Sequence, residues 1–189
     1  CENFAGNFQS LNLTAGCQNQ SITLTHLGDE ILTPGSALSF VLMADSTGIL
    51  PDDILQISAN PTFFFDPATM VLNQVYFVAP LAAPGSPGNP NWSTGCIDVG
   101  FFASVQWVPT PTVNFSVSNP EVCEGDCLTF NVIFTGTPPF NLTYDVGGGP
   151  LQVQTFTDIT GTLDVCPPFG PPTGAGPMSA VSLNDQNCV

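Results

Sequence analysis

Apolar and polar residues alternate strictly through several short runs, and no segment longer than about ten residues keeps a helical period. Nineteen prolines and 18 glycines are scattered between those runs as punctuation. These observations predict an all-β protein made of antiparallel β-sandwiches. In a half-buried strand, one set of side chains meets the core and the other meets water, so the sequence repeats every second residue.

The first alternating run is residues 21–25, where Ile22 and Leu24 stand between Ser21, Thr23 and Thr25. Residues 73–78 and 99–107 form the penultimate and last strands of the first half. The clearest run is 112–118, with Val113, Phe115 and Val117 between Thr112, Asn114, Ser116 and Ser118. Residues 128–134 do nearly the same, and 178–183 close the second half. β-branched and aromatic residues fill these runs, as pleated surfaces favour. Residues 79–91 and 167–177 read as proline-rich loops of extended polyproline conformation. The stretch Val108-Pro109-Thr110-Pro111 reads as a short stiff linker. It divides the chain into residues 1–109 and 110–189, sizes that each suit an immunoglobulin-like sandwich. The second half contains six predicted strands, one fewer than the first pattern requires. Its open edge invites a strand from a neighbour, and the lead before Leu11, with Phe4 and Phe8, is a candidate donor.

Charge narrows the function. Lys and Arg total 0, Asp and Glu total 15, and charged residues make up 8% of the chain. An average domain carries about 25%, so bases are missing rather than acids in excess. Without cations there is no means to displace phosphate counterions, so nucleic acid is excluded. Schiff-base chemistry, a Walker A lysine and arginine clamps go with it. Apolar content of 43% is enough for packed cores. No apolar run reaches membrane-spanning length and no basic segment precedes one, so neither membrane insertion nor a signal peptide is expected.

Seven cysteines point to an oxidising, extracellular setting. A cysteine precedes the second strand of each half (Cys17, Cys123), and another follows the penultimate strand (Cys96, Cys188). This parallel favours the pairs Cys17–Cys96 and Cys123–Cys188, with Cys127–Cys166 as an extra staple, though spacing alone does not fix connectivity. Cys1 is left over, as a partner for another chain or a neighbouring repeat, or as a lipidated residue. Zinc is disfavoured, because Cys123 and Cys127 form a single CxxxC and the chain has one His.

Other candidates have bland readings beside them. His26 lies at strand spacing from Ile22 and Leu24, and no GxSxG elbow accompanies it, so it reads as a structural residue and the protein as no enzyme. Asp29-Glu30 and Asp52-Asp53 fall in turns that could offer oxygen ligands to Ca²⁺, yet no DxDxDG loop exists. No other cofactor is implied. Asn12, Asn19, Asn91, Asn114 and Asn141 fit Asn-x-Ser/Thr, a triplet that Thr- and Asn-rich strands produce by chance. Trp92, Trp107, Tyr76 and Tyr144 would stack on sugars if exposed together, and otherwise belong to the core.

Three segments carry a resemblance. They are Pro120-Glu121-Val122-Cys123-Glu124-Gly125-Asp126, Thr135-Gly136-Thr137-Pro138-Pro139-Phe140, and Val181-Ser182-Leu183-Asn184-Asp185-Gln186-Asn187-Cys188. Together they resemble a repeat of very large cell-surface proteins of the Bacteroidota, among them gliding-motility adhesins and other type IX secretion exports. The first half resembles a companion repeat through Cys1-Glu2-Asn3-Phe4-Ala5-Gly6, Leu38-Ser39-Phe40-Val41-Leu42, Phe63-Phe64-Phe65-Asp66-Pro67, Val75-Tyr76-Phe77-Val78-Ala79 and Cys96-Ile97-Asp98-Val99. Residues 79–91 are proline-rich where that repeat is rich in glycine and acids. The resemblance implies tandem Ig-like or PKD-like sandwiches with a structural or adhesive surface role and no catalytic residues. It also makes Ser46, in Asp45-Ser46-Thr47, an O-glycosylation candidate. The expected function is a structural repeat of an extracellular filament or giant surface protein, assembling head-to-tail with copies of itself or adjacent repeats. The alternative is an adhesin module that binds surface glycans.

Overall fold

The computed structural model describes residues 2–48, 50–118, 126–146, 150–166 and 178–188. These contain fifteen strands and no helix, and the chain divides into two compact units, Cys1–Pro109 and Thr110–Val189.

Unit 1 holds β1 (Thr14–Cys17), β2 (Ile22–Thr23), β3 (Ser36–Met43), β4 (Ile54–Ser58), β5 (Thr62–Phe63), β6 (Val75–Ser86), β7 (Asn89–Pro90), β8 (Asp98–Val99) and β9 (Ala103–Val108). The main sheet runs β1-β9-β6-β3-β4, and β2-β5 form a second, two-stranded sheet. The centre of the main sheet is covered on both faces, so β3 carries the continuous run Phe40-Val41-Leu42-Met43 rather than an alternation. Phe40 and Leu42 join Tyr76, Val78, Val105 and Trp107 in one core. Val41 and Met43 join Ala79, Leu81 and Ala83 in another.

Three expectations are corrected in this unit. Residues 79–91 are no loop: β6 runs through residue 86, and β7 pairs back onto it. The sheet tolerates Pro80 because the ladders on that side break there. Val78 pairs with Ala103 of β9 and Leu81 with Val99 of β8, and the Pro80 carbonyl accepts the Gly100 N–H at 2.9 Å between them. The lead before Leu11 is docked in its own unit rather than free to be donated. Phe4 bridges Ile31, Phe8 bridges His26, and Ala5 and Phe8 are buried. Finally, among the described residues the strand pairs are antiparallel except one: β1 runs parallel to β9.

Unit 2 holds β10 (Thr112–Val117), β11 (Leu128–Thr135), β12 (Phe140–Asp145), β13 (Gln152–Phe156), β14 (Thr160–Val165) and β15 (Ser179–Asn184). One sheet is β10-β11-β14 and the other β13-β12-β15. Between them Phe134 stacks on Phe140 with centroids 4.6 Å apart, and Phe156 leans on Phe134 at 4.8 Å.

Strand order identifies both units as immunoglobulin-like. In unit 2 the first, second and fifth strands share one sheet, and the third, fourth and sixth share the other. Unit 1 adds a tyrosine corner at the start of β6, where the Tyr76 hydroxyl accepts the Val71 N–H and donates to the Val71 carbonyl.

Candidate functional site

Two features of strand pairing stand out, one in each unit. In unit 1 the parallel β1–β9 pair joins early and late segments of the unit, with Thr14 opposite Val105 and Cys17 opposite Val108. The Gln18 N–H extends the ladder by donating to the Val108 carbonyl at 2.9 Å. Trp107 anchors β9 from inside, fully buried, with its indole N–H donated to the Gln20 carbonyl at 3.1 Å. Its ring meets Tyr76 edge-on at 6.2 Å.

In unit 2 no parallel pair of this kind forms among the described residues. Among the described residues β10 pairs with β11 alone and β15 with β12 alone. Val132, Phe134, Phe140, Leu142, Leu163 and Val165 are buried, while Phe130 of β11 is half-buried. Val113 and Phe115 of β10 and Leu183 of β15 are only half-buried against the core. Val117 is 42% exposed and Val181 54%. The Asp185 carboxylate fixes the far end of β15 by accepting the N–H groups of Thr137, Asn187 and Cys188.

The sequence candidates fall as follows. His26 is a clamp on the N-terminal lead. Its Nδ1 accepts the Gly28 N–H at 3.1 Å, so the ring proton is on Nε2, which donates to the Ala5 carbonyl at 3.0 Å. Phe8 and Phe40 each meet the ring edge-on and lie tilted against each other. With both nitrogens engaged by backbone, His26 is placed for structure rather than for proton transfer. Glu30 reaches it at 3.6 Å. Asp29 points elsewhere: the Asn7 side-chain amide and backbone N–H both donate to it and hold its carboxyl below the usual range. Asp52 and Asp53 border an open hollow with Asp45, whose carboxyl is held low by the Thr47 backbone N–H and hydroxyl. Among the described residues no three His, Cys, Asp or Glu gather as an ion site.

Ser46 lies exposed in the turn after β3, and Asn12, Asn19, Asn91, Asn114 and Asn141 are all exposed. Cys127 and Cys166 are bonded to each other, one step beyond the Leu128–Val165 pair that ends the β11–β14 ladder. Cys17, Cys96 and Cys188 are each in a disulfide, while Cys1 and Cys123 lie outside the described residues. The aromatic platform does not form from the four residues considered for it. Trp107, Tyr76 and Tyr144 are buried and Trp92 is half-buried against the second core of unit 1, and burial raises the Tyr144 hydroxyl above its ordinary pKa. What the sequence reading passed over is the β1–β9 pair. Residues 14–17, Thr-Ala-Gly-Cys, carry no alternation to mark them.

No family model matches the chain, and no curated protein does. Among solved structures it is similar to an amphioxus IgVJ-C2 molecule, at 14% identity over 84% of this chain and 100% of that one, with a TM-score of 0.30. No helix among the described residues is long and apolar enough to cross a membrane.

Proposed function

We propose that this chain is a load-bearing structural repeat of an extracellular filament or large surface protein. The observation that carries this is the parallel β1–β9 pair. Tension enters unit 1 ahead of Thr14 and leaves it after Val108, at opposite ends of that ladder. Evenly spaced parallel hydrogen bonds then share the load along the strand direction. They must break together rather than peel apart one at a time, which raises the barrier that governs forced unfolding. Disulfides limit how far the chain can extend after a unit opens, and they fit an oxidising compartment. The sequence resemblance to repeats of Bacteroidota surface proteins supports the same role. The absence of lysine and arginine also removes every trypsin site, an advantage for an exposed fibre.

Single-molecule pulling on tandem copies tests this. Unit 1 is expected to open at higher force than unit 2, whose β10 and β15 lie in different sheets. Unit 1 opening at the same or lower force overturns the mechanical reading. The glycan-binding alternative loses its main support, since three of the four aromatics proposed for it lie in the cores.

A further inference from the structure

We infer that Cys96 is bonded to Cys1, which makes the N-terminal lead of unit 1 a covalent strap. This goes beyond the load-bearing reading and does not depend on it.

Cys96 is in a disulfide, and the fold of unit 1 narrows its partner. Cys127 and Cys166 are bonded to each other. Cys17, the partner that the parallel between the two halves favours, stands at the wrong end of the main sheet. It lies opposite Val108, two residues beyond Gln106, which pairs with Val75 at the start of β6. Cys96 comes two residues before Asp98, which pairs with Ala82 near the other end of β6. At about 3.3 Å per residue, more than about 20 Å of β6 separates those two registers, and each cysteine lies beyond its own register. A disulfide spans only about 4.4–6.8 Å between Cα atoms.

The lead is held at the Cys96 end. The Asn3 side-chain amide donates to the Cys96 carbonyl at 2.9 Å, and its nitrogen lies 3.4 Å from Cys96 Sγ. The same nitrogen donates at 3.0 Å to the hydroxyl of Ser36, which pairs with Pro84 of β6. The Asn3 side-chain oxygen accepts the Thr33 N–H and hydroxyl, both at 2.9 Å. Phe4 exchanges both backbone hydrogen bonds with Ile31, and the Ala5 N–H donates to the Asp98 carboxylate at 2.7 Å. Three consecutive residues thus fix the lead beside Cys96. The two residues of chain from Asn3 to Cys1 span at most about 7 Å. A thiol tethered this closely has a high effective concentration at Cys96, which favours it over any more distant cysteine.

Bond formation is an oxidation. The two thiols give up two protons and two electrons, and a small-molecule disulfide accepts them and becomes two thiols. The bond closes residues 2–95 into one loop and leaves Cys1 unavailable to a lipid or to another chain. A pull applied at Cys1 passes directly to Cys96 while the bond is closed. The β1–β9 ladder takes that load once the bond is reduced.

The test uses the whole 189-residue chain, folded with oxidised glutathione as the oxidant. Free thiols are blocked with N-ethylmaleimide and the chain is digested with pepsin, whose acid conditions suppress disulfide exchange. Mass spectrometry is expected to find the Cys1 peptide joined to the Cys96 peptide, with both released on reduction. A Cys96 peptide joined instead to one carrying Cys17, Cys123 or Cys188 overturns the assignment. So does a Cys1 that carries the blocking group or is joined to the Cys1 of a second chain. A second arm reads the strap itself. Cys1→Ser is expected to speed hydrogen exchange at the Phe4 and Ala5 amides at least fivefold and to leave the amides of Phe40, Val41 and Leu42 in β3 unchanged. Reducing the parent chain gives the same comparison without a substitution. Unchanged exchange at Phe4 and Ala5 in both would overturn the strap, because the contacts of Asn3 would then hold the lead unaided.

Discussion

Asp185 reaches across 48 residues to accept the backbone N–H of Thr137 at 2.8 Å, tying the end of β15 to the turn between β11 and β12. Its other oxygen accepts the N–H groups of Asn187 and Cys188 at 2.9 and 2.7 Å. The residue is 6% exposed, so these donors have little access to water if the acceptor is removed. Gly136 beside it has φ +123°, and a Cβ there would stand 2.5 Å from the same carboxylate. The turn is therefore built around this one side chain.

Asp185→Ala is expected to destabilise unit 2 by about 2–4 kcal/mol, because buried donors lose a charged acceptor. Asp185→Asn keeps one oxygen and should fall between the two. Urea unfolding, followed at the buried Tyr144 of unit 2, checks the order. An alanine variant as stable as the parent would show that the turn holds itself.

Much of this architecture was legible in the sequence, and the reason differs by element. The run from Thr112 to Val117 became β10 because its two faces meet different media, which alternation encodes directly. Residues 79–86 misled because proline was read as a local signal. The tolerance of Pro80 comes from a break between β8 and β9, a tertiary fact that no window around residue 80 contains. The same limit hid β1: Thr14–Cys17 is a strand because β9 lies beside it, not because of its own pattern. Trp107 and Tyr76 could be core or platform from sequence alone, and only the closing of β9 onto β6 decides for core.

Gly100 is a close-approach glycine. A Cβ there would lie 2.4 Å from the Gly6 carbonyl oxygen and 2.6 Å from Pro80 Cγ. Neither can retreat easily, since one is backbone of the docked lead and the other sits in the central strand β6. Gly100→Ala is expected to cost unit 1 about 1–3 kcal/mol, the range for forced overpacking. Gly95, with nothing within 4 Å of its Cβ position, is the control and should tolerate alanine. Equal thermal stability of the two variants would contradict the close approach.

The Cys127–Cys166 bond closes a loop of sequence separation 39. The chain-entropy relation for such a loop gives up to about 4 kcal/mol, as a restriction on the unfolded state. Replacing both cysteines with serine should therefore lower the denaturation midpoint of unit 2 while leaving its strand pairing intact. Leu128 still pairs with Val165 beside the lost bond. Exchange protection in β11 and β14 reads the second half of this prediction. A collapse of that ladder would mean that the staple sets the register rather than securing it.

Acid should do little harm above pH 4. Acid unfolding usually follows from protonating carboxylates whose partners are lysine or arginine, and this chain has neither. Asp29 and Asp45 have folded pKa values below the ordinary 3.8, held down chiefly by donors from Asn7 and Thr47 respectively. For such groups the unfolded chain takes up protons first as pH falls. Their contribution is thus complete well above 3.8, shrinks through that value, and is gone below the folded pKa. In the same descent the net charge of −15 is progressively neutralised, which relieves self-repulsion. The expected melting temperature is level or rising from pH 7 to about pH 4.5, and falls only below about pH 3.8, where Asp29 and Asp45 lose their charge. Asp29→Asn should lower stability at pH 7, and the difference should shrink as pH falls below 3.8. A melting temperature that drops steeply between pH 6 and pH 4.5 would overturn this account of acid tolerance.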